Sequence, residues 1–181
     1  MRLTAGSFRE LHWHTADEWS IMLYGNARVT VLNPDGTIFI DEVIKGDLWY
    51  FPAGYPHSIQ GLAPDGCEFL LVFDQGMFSE DNTFLLSEWV AHTPPEVLSK
   101  NFGLAEGALT NLPQSALYIF PADLPKSLAE DKAAVGGQKC SLPSSTPSRW
   151  KRWRRPSELV GAKCASSTRT TFLPQGILLP L

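Results

Sequence analysis

The chain has 181 residues, of which 44% are hydrophobic and 19% are charged. This composition is ordinary for one globular domain with room for a tail, and it excludes a disordered chain and a coiled coil. No apolar run approaches the roughly 18–20 residues of a membrane-spanning helix, and the first residues lack the apolar stretch of a signal peptide, so we expect no membrane partner. The sequence assigns no localisation.

Charge divides the chain into two parts. Residues 1–125 contain five basic and 16 acidic residues, whereas residues 126–181 contain ten basic and three acidic ones. The overall net charge of −4 gives no reason to expect nucleic acid as a partner. From about Gly136 the chain is rich in Ser, Pro and Arg and has neither helical nor strand periodicity. We therefore predict a folded domain over residues 1–130 and an irregular, disordered tail over residues 131–181.

Short strand-like segments separated by turn signals dominate the first part of the chain. The turn signals at residues 33–36 (Asn-Pro-Asp-Gly) and 63–66 (Ala-Pro-Asp-Gly) each lie between two such segments. The predicted strands are residues 8–14, 19–24, 28–32, 37–40, 48–51, 57–60 and 68–73. Strands of this length and spacing predict an antiparallel sandwich or barrel, so the predicted fold class is mainly β.

Helical patterns appear only after these strands. Residues 85–91 fit one short helix. Thr93 is placed to cap a second helix, with Pro94 at its first position and Gly103 just past its end. Residues 105–112 fit a third helix. We therefore expect short helices on the C-terminal side of the β structure.

Three of the four histidines lie in two short segments. His12 and His14 are two residues apart on a predicted strand, so both side chains leave the same face. Glu18 follows four residues after His14, and His57 begins a distant strand. A lone histidine is usually a hydrogen-bonded core or surface residue, but three imidazoles grouped with a carboxylate suit a divalent transition metal. We interpret the fourth histidine, His92, as structural.

Glycines surround these residues at regular spacings. Intervals of five, one, three and six residues separate Gly6, His12, His14, Glu18 and Gly25. After 20 intervening residues, intervals of five, one and two residues separate Gly46, Pro52, Gly54 and His57. Both segments resemble the two motifs of the cupin superfamily, although Gly61 stands where the second motif commonly has Asn. The resemblance implies a jelly-roll β-barrel in which His12, His14, Glu18 and His57 hold a metal.

The residues within and around both motifs are more similar still to the N-terminal cupin of the oxalate decarboxylases. This similarity is carried by residues 9–14, 46–52, 56–61, 68–74 and 89–94. It extends to about Gly137, three quarters of the chain. The resemblance implies an enzyme that uses Mn²⁺, with dioxygen as co-catalyst, to convert oxalate to formate and carbon dioxide. These relatives are bicupins with a second, similar domain. The resemblance also implies a homo-oligomer if the full-length bicupin is restored.

The resemblance assigns Arg9 to the binding of a substrate carboxylate, which a guanidinium can hold and polarise. Arg9 precedes His12 by three residues, so a regular strand would point it away from the metal ligands unless a β-bulge intervenes. The alternative is a surface ion pair of Arg9 with Glu10 or Asp17.

Glu80 lies in the polar sequence Ser-Glu-Asp-Asn-Thr at residues 79–83, called the 79–83 strip below. The matching strip in the family is a mobile lid whose glutamate moves protons, and the resemblance assigns this catalytic role to Glu80. Asp81 and Asn82 differ from the family's Asn and Ser at these positions. The alternative is a solvated loop residue beside a helix start.

Two other functions stay open. An oxalate oxidase would have the same metal and fold, but the lid carboxylate of Glu80 favours the decarboxylase. A non-catalytic, metal-binding cupin fragment is the second alternative, because a bicupin without its second domain would lack subunit contacts.

The basic tail suggests why a second domain is missing. The last 45 residues do not resemble the family, and a frameshift or mis-predicted intron near residue 138 would leave an N-terminal fragment. Residues 138–181 are basic and contain one phenylalanine, so we expect no packed domain there. A nucleic-acid patch at residues 150–155 is the weaker alternative.

Overall fold

The computed structural model describes residues 1–105, 107–109, 111, 113 and 117–136. Over these residues the chain forms nine β-strands in antiparallel pairs and three short α-helices, which confirms the predicted fold class. The strands are β1 (Arg2–Leu3), β2 (Phe8–His14), β3 (Glu18–Leu32), β4 (Ile38–Ile44), β5 (Leu48–Phe51), β6 (His57–Gly61), β7 (Cys67–Phe73), β8 (Thr83–Leu85) and β9 (Ile119–Phe120). The helices are α1 (Leu86–Ala91), α2 (Pro95–Phe102) and α3 (Leu128–Gly136), and a 3₁₀ turn covers Glu80–Asn82. None of these described helices is long and apolar enough to cross a membrane.

The longest strand, β3, joins the two halves of the sheet. Its first residues pair with β5 and β7, so that Glu18 lies opposite Phe51 on one side and Phe73 on the other. Its later residues pair with β4 and β6 instead, with Val31 opposite His57. Because one strand belongs to both halves, the sheet curls around a common interior.

Strand β3 passes from one half of the sheet to the other at Gly25, where the sequence pattern predicted a break between two strands. Gly25 has a φ of 70°, in the left-handed region that residues with a Cβ rarely adopt. A Cβ at this position would lie 2.0 Å from the carbonyl oxygen of Gly66. The glycine therefore supplies a bend without ending the strand, and the two predicted strands are one.

Strand β2 carries two of the candidate metal ligands and lies between β6 and β8. Its register with β6 shifts between Arg9 and His12, which is the irregularity of a β-bulge. Because of this shift Arg9 and its neighbour Glu10 are both buried, and Arg9 faces the same interior cavity as His12. Strand β8, which the sequence analysis missed, pairs Thr83 with His14. The 79–83 strip therefore runs directly into a strand beside the candidate ligands.

Apolar side chains from both halves of the sheet fill the interior. The buried cluster contains Leu3, Met22, Ala27, Val29, Val31, Val43, Trp49, Phe51, Ile59, Cys67 and Phe69. The rings of Trp49 and Phe69 pack with their centroids 5.4 Å apart. Phe51 stacks on the ring of His57 with centroids 3.9 Å apart. The core therefore extends up to the candidate metal ligands and restricts the orientation of one imidazole.

The first two helices lie where the sequence predicted them, with small shifts at their starts. Helix α1 begins one residue late, because Leu85 still belongs to β8. Helix α2 begins at Pro95, and its N-cap residue is Pro94 rather than Thr93. A residue that precedes a proline is disfavoured in the helical region, which explains why Pro94, with a ψ of 135°, stays outside the helix. Gly103 ends α2 in the left-handed conformation, as predicted.

The third helix forms at a different place from the one predicted. The prediction for residues 105–112 is wrong, since the described residues 107–109 form a turn. Helix α3 begins instead with a capping box, in which the Ser127 N–H donates to the Glu130 carboxylate at 3.0 Å and the Glu130 N–H donates to the Ser127 hydroxyl at 3.3 Å. A serine followed three residues later by a glutamate is a sequence signal that the analysis missed.

Helix α3 extends six residues past the predicted domain boundary at residue 130. The guanidinium of Arg28 on β3 is buried, and it donates to the Asp131 carboxylate and to the carbonyl of Lys126, the latter at 2.7 Å. A buried arginine needs such acceptors, so this contact holds α3 against the sheet. The predicted absence of a packed domain over residues 138–181 concerns residues outside the described part of the chain.

Candidate functional site

The four predicted metal ligands come together in the interior of the curled sheet. Strand β2 supplies His12 and His14, β3 begins with Glu18, and β6 begins with His57. Strands β2 and β6 are neighbours with His12 directly opposite His57, so two segments that are distant in sequence meet. All four side chains are buried, and one ligand atom from each lies within 4.8 Å of the others.

Backbone hydrogen bonds orient the three imidazole rings in the same way. Each Nδ1 lies close to a carbonyl oxygen two residues away in the sequence, at 2.7 Å for His12, 2.6 Å for His14 and 2.8 Å for His57. A carbonyl oxygen only accepts hydrogen bonds, so each Nδ1 carries a proton. In a neutral ring this fixes the tautomer whose Nε2 lone pair is available to a metal.

The carboxylate of Glu18 faces these imidazoles. Its Oε2 lies 3.1 Å from Nε2 of His14 and 3.8 Å from Nε2 of His57. Its Oε1 accepts a hydrogen bond from the Ser20 hydroxyl at 2.9 Å. Burial alone would raise the pKa of Glu18, but the nearby imidazoles of His14 and His57 and the Ser20 hydroxyl outweigh burial and lower the pKa. Glu18 therefore presents an ionised carboxylate inside the sheet.

The charge states of the histidines fit a cation at this point. Burial, followed by the nearby His57 and Arg9, lowers the pKa of His12 to about 2, so its ring is neutral. Burial also acts to lower the pKa of His14, but its hydrogen bonds to Glu18 and to a backbone carbonyl outweigh burial and raise the pKa. The negative charge of Glu18, which favours a proton on His14, would equally favour a metal ion at this point.

The Nε2 atom of His57 is buried and has no hydrogen-bond partner within the described part of the chain. Leaving such an atom without a partner is costly, and native proteins satisfy nearly all of them with protein groups, water or ions. The unpartnered nitrogen points to a missing partner that accepts a lone pair. Together with the donor set of three imidazoles and one carboxylate, it fits a divalent transition metal.

Asp17 ties the two ligand-bearing segments to each other. Its carboxylate accepts a hydrogen bond from the Ala53 N–H at 2.6 Å and another from the Tyr50 hydroxyl at 2.5 Å. The Gly54 N–H donates to the carbonyl of His14 at 2.8 Å. The loop before β6 is therefore fixed against the loop between β2 and β3, which limits the distance between the ligands of the two segments.

Arg9 lies beside the ligands with its side chain only 3% exposed. Its Nη2 donates to the Glu80 carboxylate at 3.1 Å, and its Nη1 donates to the carbonyl oxygen of Tyr118 at 3.3 Å. The alternative of a surface ion pair with Glu10 or Asp17 is therefore wrong, because the β-bulge turns the guanidinium inward to other partners. The structure brings together the two side chains that the sequence analysis selected for catalysis.

Glu80 begins the 3₁₀ turn of the 79–83 strip. Ser79 caps this turn by accepting a hydrogen bond from the Asp81 N–H at 3.2 Å. The Glu80 side chain is 53% exposed, yet it lines the same cavity as Arg9 and His12. Glu80 is therefore accessible to solvent while its carboxylate reaches a buried guanidinium.

The cavity between Glu80 and the ligands is small and partly apolar. Its volume is about 10 Å³, which is roughly the space that one water molecule needs. Phe73 and Phe78 form part of its wall, with their rings stacked 3.6 Å apart. Both rings meet the His14 ring edge-on, at centroid distances of 5.3 Å and 5.9 Å. The 79–83 strip and this aromatic wall leave almost no room for solvent beside the ligands.

Sequence reasoning missed some residues that complete the site. Ser20 follows Glu18 by two residues on a strand, so the alternation of side chains could have placed both on one face. Tyr118 contacts Arg9 from 109 residues away, and no local pattern indicates this. His92 is exposed, bonds to a carbonyl of its own helix through Nδ1 at 2.8 Å, and is not part of the ligand cluster.

Comparisons with known proteins agree with this architecture. A sequence profile described as Cupin matches residues 1–108. Oxalate decarboxylase OxdC of Bacillus subtilis is 49% identical over 172 residues, which are 95% of this chain and 44% of that protein. A probable oxalate decarboxylase of Arthroderma benhamiae is 40% identical over 105 residues, which are 58% of this chain and 26% of that protein.

Solved structures of the Bacillus subtilis oxalate decarboxylase are similar to this chain in fold and sequence. The structure of the Bacillus subtilis oxalate decarboxylase at pH 4.6 has a TM-score of 0.70 and 56% identity, over 72% of this chain and 34% of that one. A second structure, from a study of the Mn(II) centres of that enzyme, has a TM-score of 0.69 at the same identity and coverage.

The matched regions cover different shares of this chain and of its relatives. The match to the Bacillus subtilis protein covers 95% of the chain, so it continues past residue 137 and corrects the expectation that the tail lies outside the family. The chain spans less than half the length of the curated relatives it matches. The profile covers more than half of the chain and contains both glycine-histidine segments, the bulged strand β2 and the 79–83 strip. The chain therefore belongs to the cupin family.

Proposed function

We propose that the chain is a manganese-binding cupin domain that decarboxylates oxalate. The reaction converts one hydrogen oxalate ion into one formate ion and one molecule of carbon dioxide. One observation carries the proposal: Arg9 and Glu80 contact each other and line a single cavity with three of the four candidate metal ligands. The relatives named above as oxalate decarboxylases support this choice of substrate.

We assign the metal to His12, His14, Glu18 and His57. Three imidazole nitrogens and one carboxylate oxygen suit a divalent transition metal and leave coordination positions free for a substrate. The uniform ring orientations and the unpartnered Nε2 of His57 support the assignment. When bound, Mn²⁺ supplies one-electron redox chemistry, with dioxygen as co-catalyst, and a cationic centre that orients oxalate. The choice of manganese follows the Mn(II) centres of the Bacillus subtilis relative.

We assign Arg9 to the carboxylate of oxalate that lies away from the metal. A buried guanidinium offers two parallel N–H donors to a carboxylate, and such charge-assisted hydrogen bonds are strong where water is scarce. The Glu80 carboxylate already accepts from Nη2 of Arg9. The Glu80 carboxylate is the type of group that this guanidinium binds, and a carboxylate of oxalate would replace it when the 79–83 strip moves.

We assign the proton transfers to Glu80. In the net reaction the carbon–carbon bond breaks, carbon dioxide leaves, and the electron pair of that bond ends in the new C–H bond of formate. The proton of hydrogen oxalate must therefore move from oxygen to carbon. The Glu80 carboxylate accepts this proton when the substrate binds, and its carboxyl group later donates it to the carbon.

Closure of the 79–83 strip would keep water away from the reacting carbon. The cavity has room for about one water molecule, and oxalate has six non-hydrogen atoms. The strip must therefore open to admit oxalate and close again over it. A closed strip with Phe73 and Phe78 behind it strengthens the electrostatic interactions of Arg9 and prevents competing reactions.

Product analysis of the Mn²⁺-loaded chain tests this proposal and separates it from the two alternatives. With ¹³C-labelled oxalate, NMR should show one formate and one carbon dioxide for each oxalate consumed. Two molecules of carbon dioxide and one of hydrogen peroxide would identify an oxalate oxidase instead. Full manganese loading without any oxalate consumption would identify a non-catalytic metal-binding domain.

A further inference from the structure

Next to Arg9, strand β2 buries a carboxylate that the proposed reaction does not use. Glu10 is 3% exposed. Its Oε2 accepts a hydrogen bond from the Ser87 hydroxyl in α1, and its Oε1 accepts one from the backbone N–H of Tyr118 at 3.0 Å. Burial of a carboxylate is costly unless it is fully hydrogen-bonded, so both contacts constrain the groups that provide them.

Tyr118 connects Glu10 to Arg9. The backbone N–H of Glu10 donates to the carbonyl oxygen of Tyr118 at 3.1 Å, so Glu10 contacts Tyr118 at both its backbone donor and its backbone acceptor. The same carbonyl accepts from Nη1 of Arg9 at 3.3 Å, and the tyrosine ring lies 5.3 Å from the guanidinium carbon. Tyr118 therefore contacts the guanidinium with its backbone and with its ring.

The backbone of Tyr118 needs this support. Its φ is 58°, in the left-handed region that is unfavourable for a residue other than glycine. Such a conformation persists only when surrounding contacts over-determine it, and the hydrogen bond to the Glu10 carboxylate is one of them. Loss of that acceptor would leave the Tyr118 N–H unpaired and let the backbone relax away from Arg9.

Arg9 depends on Tyr118 once the 79–83 strip opens. Within the described residues, the hydrogen bonds of the guanidinium go to Glu80 and Tyr118. Glu80 is half exposed and lies on the strip that must move, so Tyr118 is the partner that stays.

We infer that Glu10 is a positioning residue, which fixes the oxalate-binding guanidinium of Arg9 by holding the backbone of Tyr118. This inference rests on the proposed function, because Arg9 is assigned to oxalate there. The hydrogen bond that Glu10 accepts from Ser87 has a different role, because it attaches α1 to β2.

Calorimetric titration of oxalate into the Mn²⁺-loaded chain under nitrogen, where the absence of dioxygen stops turnover, tests the inference, with manganese content measured on each sample. Glu10→Ala should weaken oxalate binding about tenfold or more, because the Tyr118 N–H loses a charged acceptor, while manganese content stays at the wild-type level. Glu10→Gln should stay within about threefold of the wild type, because its amide oxygen still accepts that hydrogen bond. Ser87→Ala, the matched control, leaves the Tyr118 contact in place and should also stay within about threefold.

Three results would overturn this inference and leave the proposed function intact. They are wild-type oxalate affinity in Glu10→Ala, a loss of oxalate affinity in Glu10→Gln as large as in Glu10→Ala, or a loss of that size in Ser87→Ala. If Glu10→Ala loses its native circular dichroism spectrum, Glu10→Asp is measured in its place. This variant keeps the negative charge but shortens the side chain by one methylene, so weakened oxalate binding is again expected. A wild-type chain that holds manganese but binds no oxalate would overturn the proposed function, and the inference with it.

Discussion

The Nη2 atom of Arg9 lies 3.1 Å from a carboxylate oxygen of Glu80, and this contact joins a side chain that is 3% exposed to one that is 53% exposed. The guanidinium is fixed inside the sheet, whereas the carboxylate comes from a surface turn. Water screens such a half-exposed pair, so its contribution to stability is small. A substrate carboxylate can therefore replace Glu80 on Arg9 at little cost.

Removal of the Glu80 carboxylate should separate proton transfer from metal binding. Glu80→Ala should lower formate production about a hundredfold or more, the range expected when a general acid–base group is lost. Manganese content should stay unchanged, and residual oxalate consumption should shift toward carbon dioxide and hydrogen peroxide. Formate by NMR and peroxide by a coupled assay measure the two outcomes.

Asp81→Ala is the matched control, because Asp81 is an exposed acid in the same 3₁₀ turn. It should keep the wild-type ratio of formate to oxalate. If Glu80→Ala kept a normal formate yield, the proton donor would lie elsewhere and the catalytic role of Glu80 would be withdrawn.

A side chain at Gly25 should destabilise the fold. Gly25→Ala places a Cβ 2.0 Å from the backbone oxygen of Gly66 in a residue with a φ of 70°. The left-handed conformation alone costs about 1–2 kcal/mol, so we expect a loss of at least about 2 kcal/mol in the free energy of unfolding by urea. Gly76→Ala, where a Cβ meets nothing within 4 Å, should change it by less than about 1 kcal/mol. Equal stabilities of the two variants would contradict the role of Gly25.

The metal-free protein should lose stability in mild acid because of His12. Burial, and then His57 and Arg9, lower its pKa from 6.5 to about 2 on folding. Below pH 6.5 the unfolded chain therefore binds a proton that the folded protein does not, and the free energy of unfolding falls by up to about 1.4 kcal/mol per pH unit.

Urea unfolding from about pH 6 to about pH 5 isolates this effect. The raised pKa of His14 gives a stabilisation that is fully present below 6.5, and the lowered pKa of Glu18 gives one that is lost only below 4.5, so neither changes much in this window. His12→Gln should flatten the dependence on pH. Parallel curves for the wild type and the variant would show that another group is responsible.

Local patterns in the sequence predicted the parts of the site that depend on neighbouring residues. His12 and His14 share a face because they alternate along a strand, whereas the meeting of His57 with His12 was implied by the resemblance to the cupin motifs. The ends of β2 and β5 were also predicted correctly, since turn residues flank both strands.

Features that depend on contacts between distant residues were missed. The need for a glycine at residue 25 of β3 comes from the close approach of the Gly66 carbonyl oxygen, and the partner of Arg9 at Tyr118 is 109 residues away. Helix α3 was missed for another reason, because its capping box is a local signal that the sequence contains. The Ser/Pro/Arg-rich residues that follow this helix obscured the signal. Sequence periodicity reports one strand or helix at a time, so tertiary partners lie outside what it predicts.

Every catalytic role proposed above requires that His12, His14, Glu18 and His57 together hold one Mn²⁺. Electron paramagnetic resonance follows this binding, because the sharp signal of aqueous Mn²⁺ broadens when the ion enters a protein site. Mn²⁺ is titrated into the chain, into His57→Ala and into His92→Ala. The last variant is the control, since His92 is exposed and outside the cluster.

The wild type and His92→Ala should each suppress the aqueous signal up to one equivalent of Mn²⁺. His57→Ala should lose stoichiometric binding, because the three remaining ligands no longer include the nitrogen from β6. Full stoichiometric binding of Mn²⁺ by His57→Ala would contradict the assignment of this site.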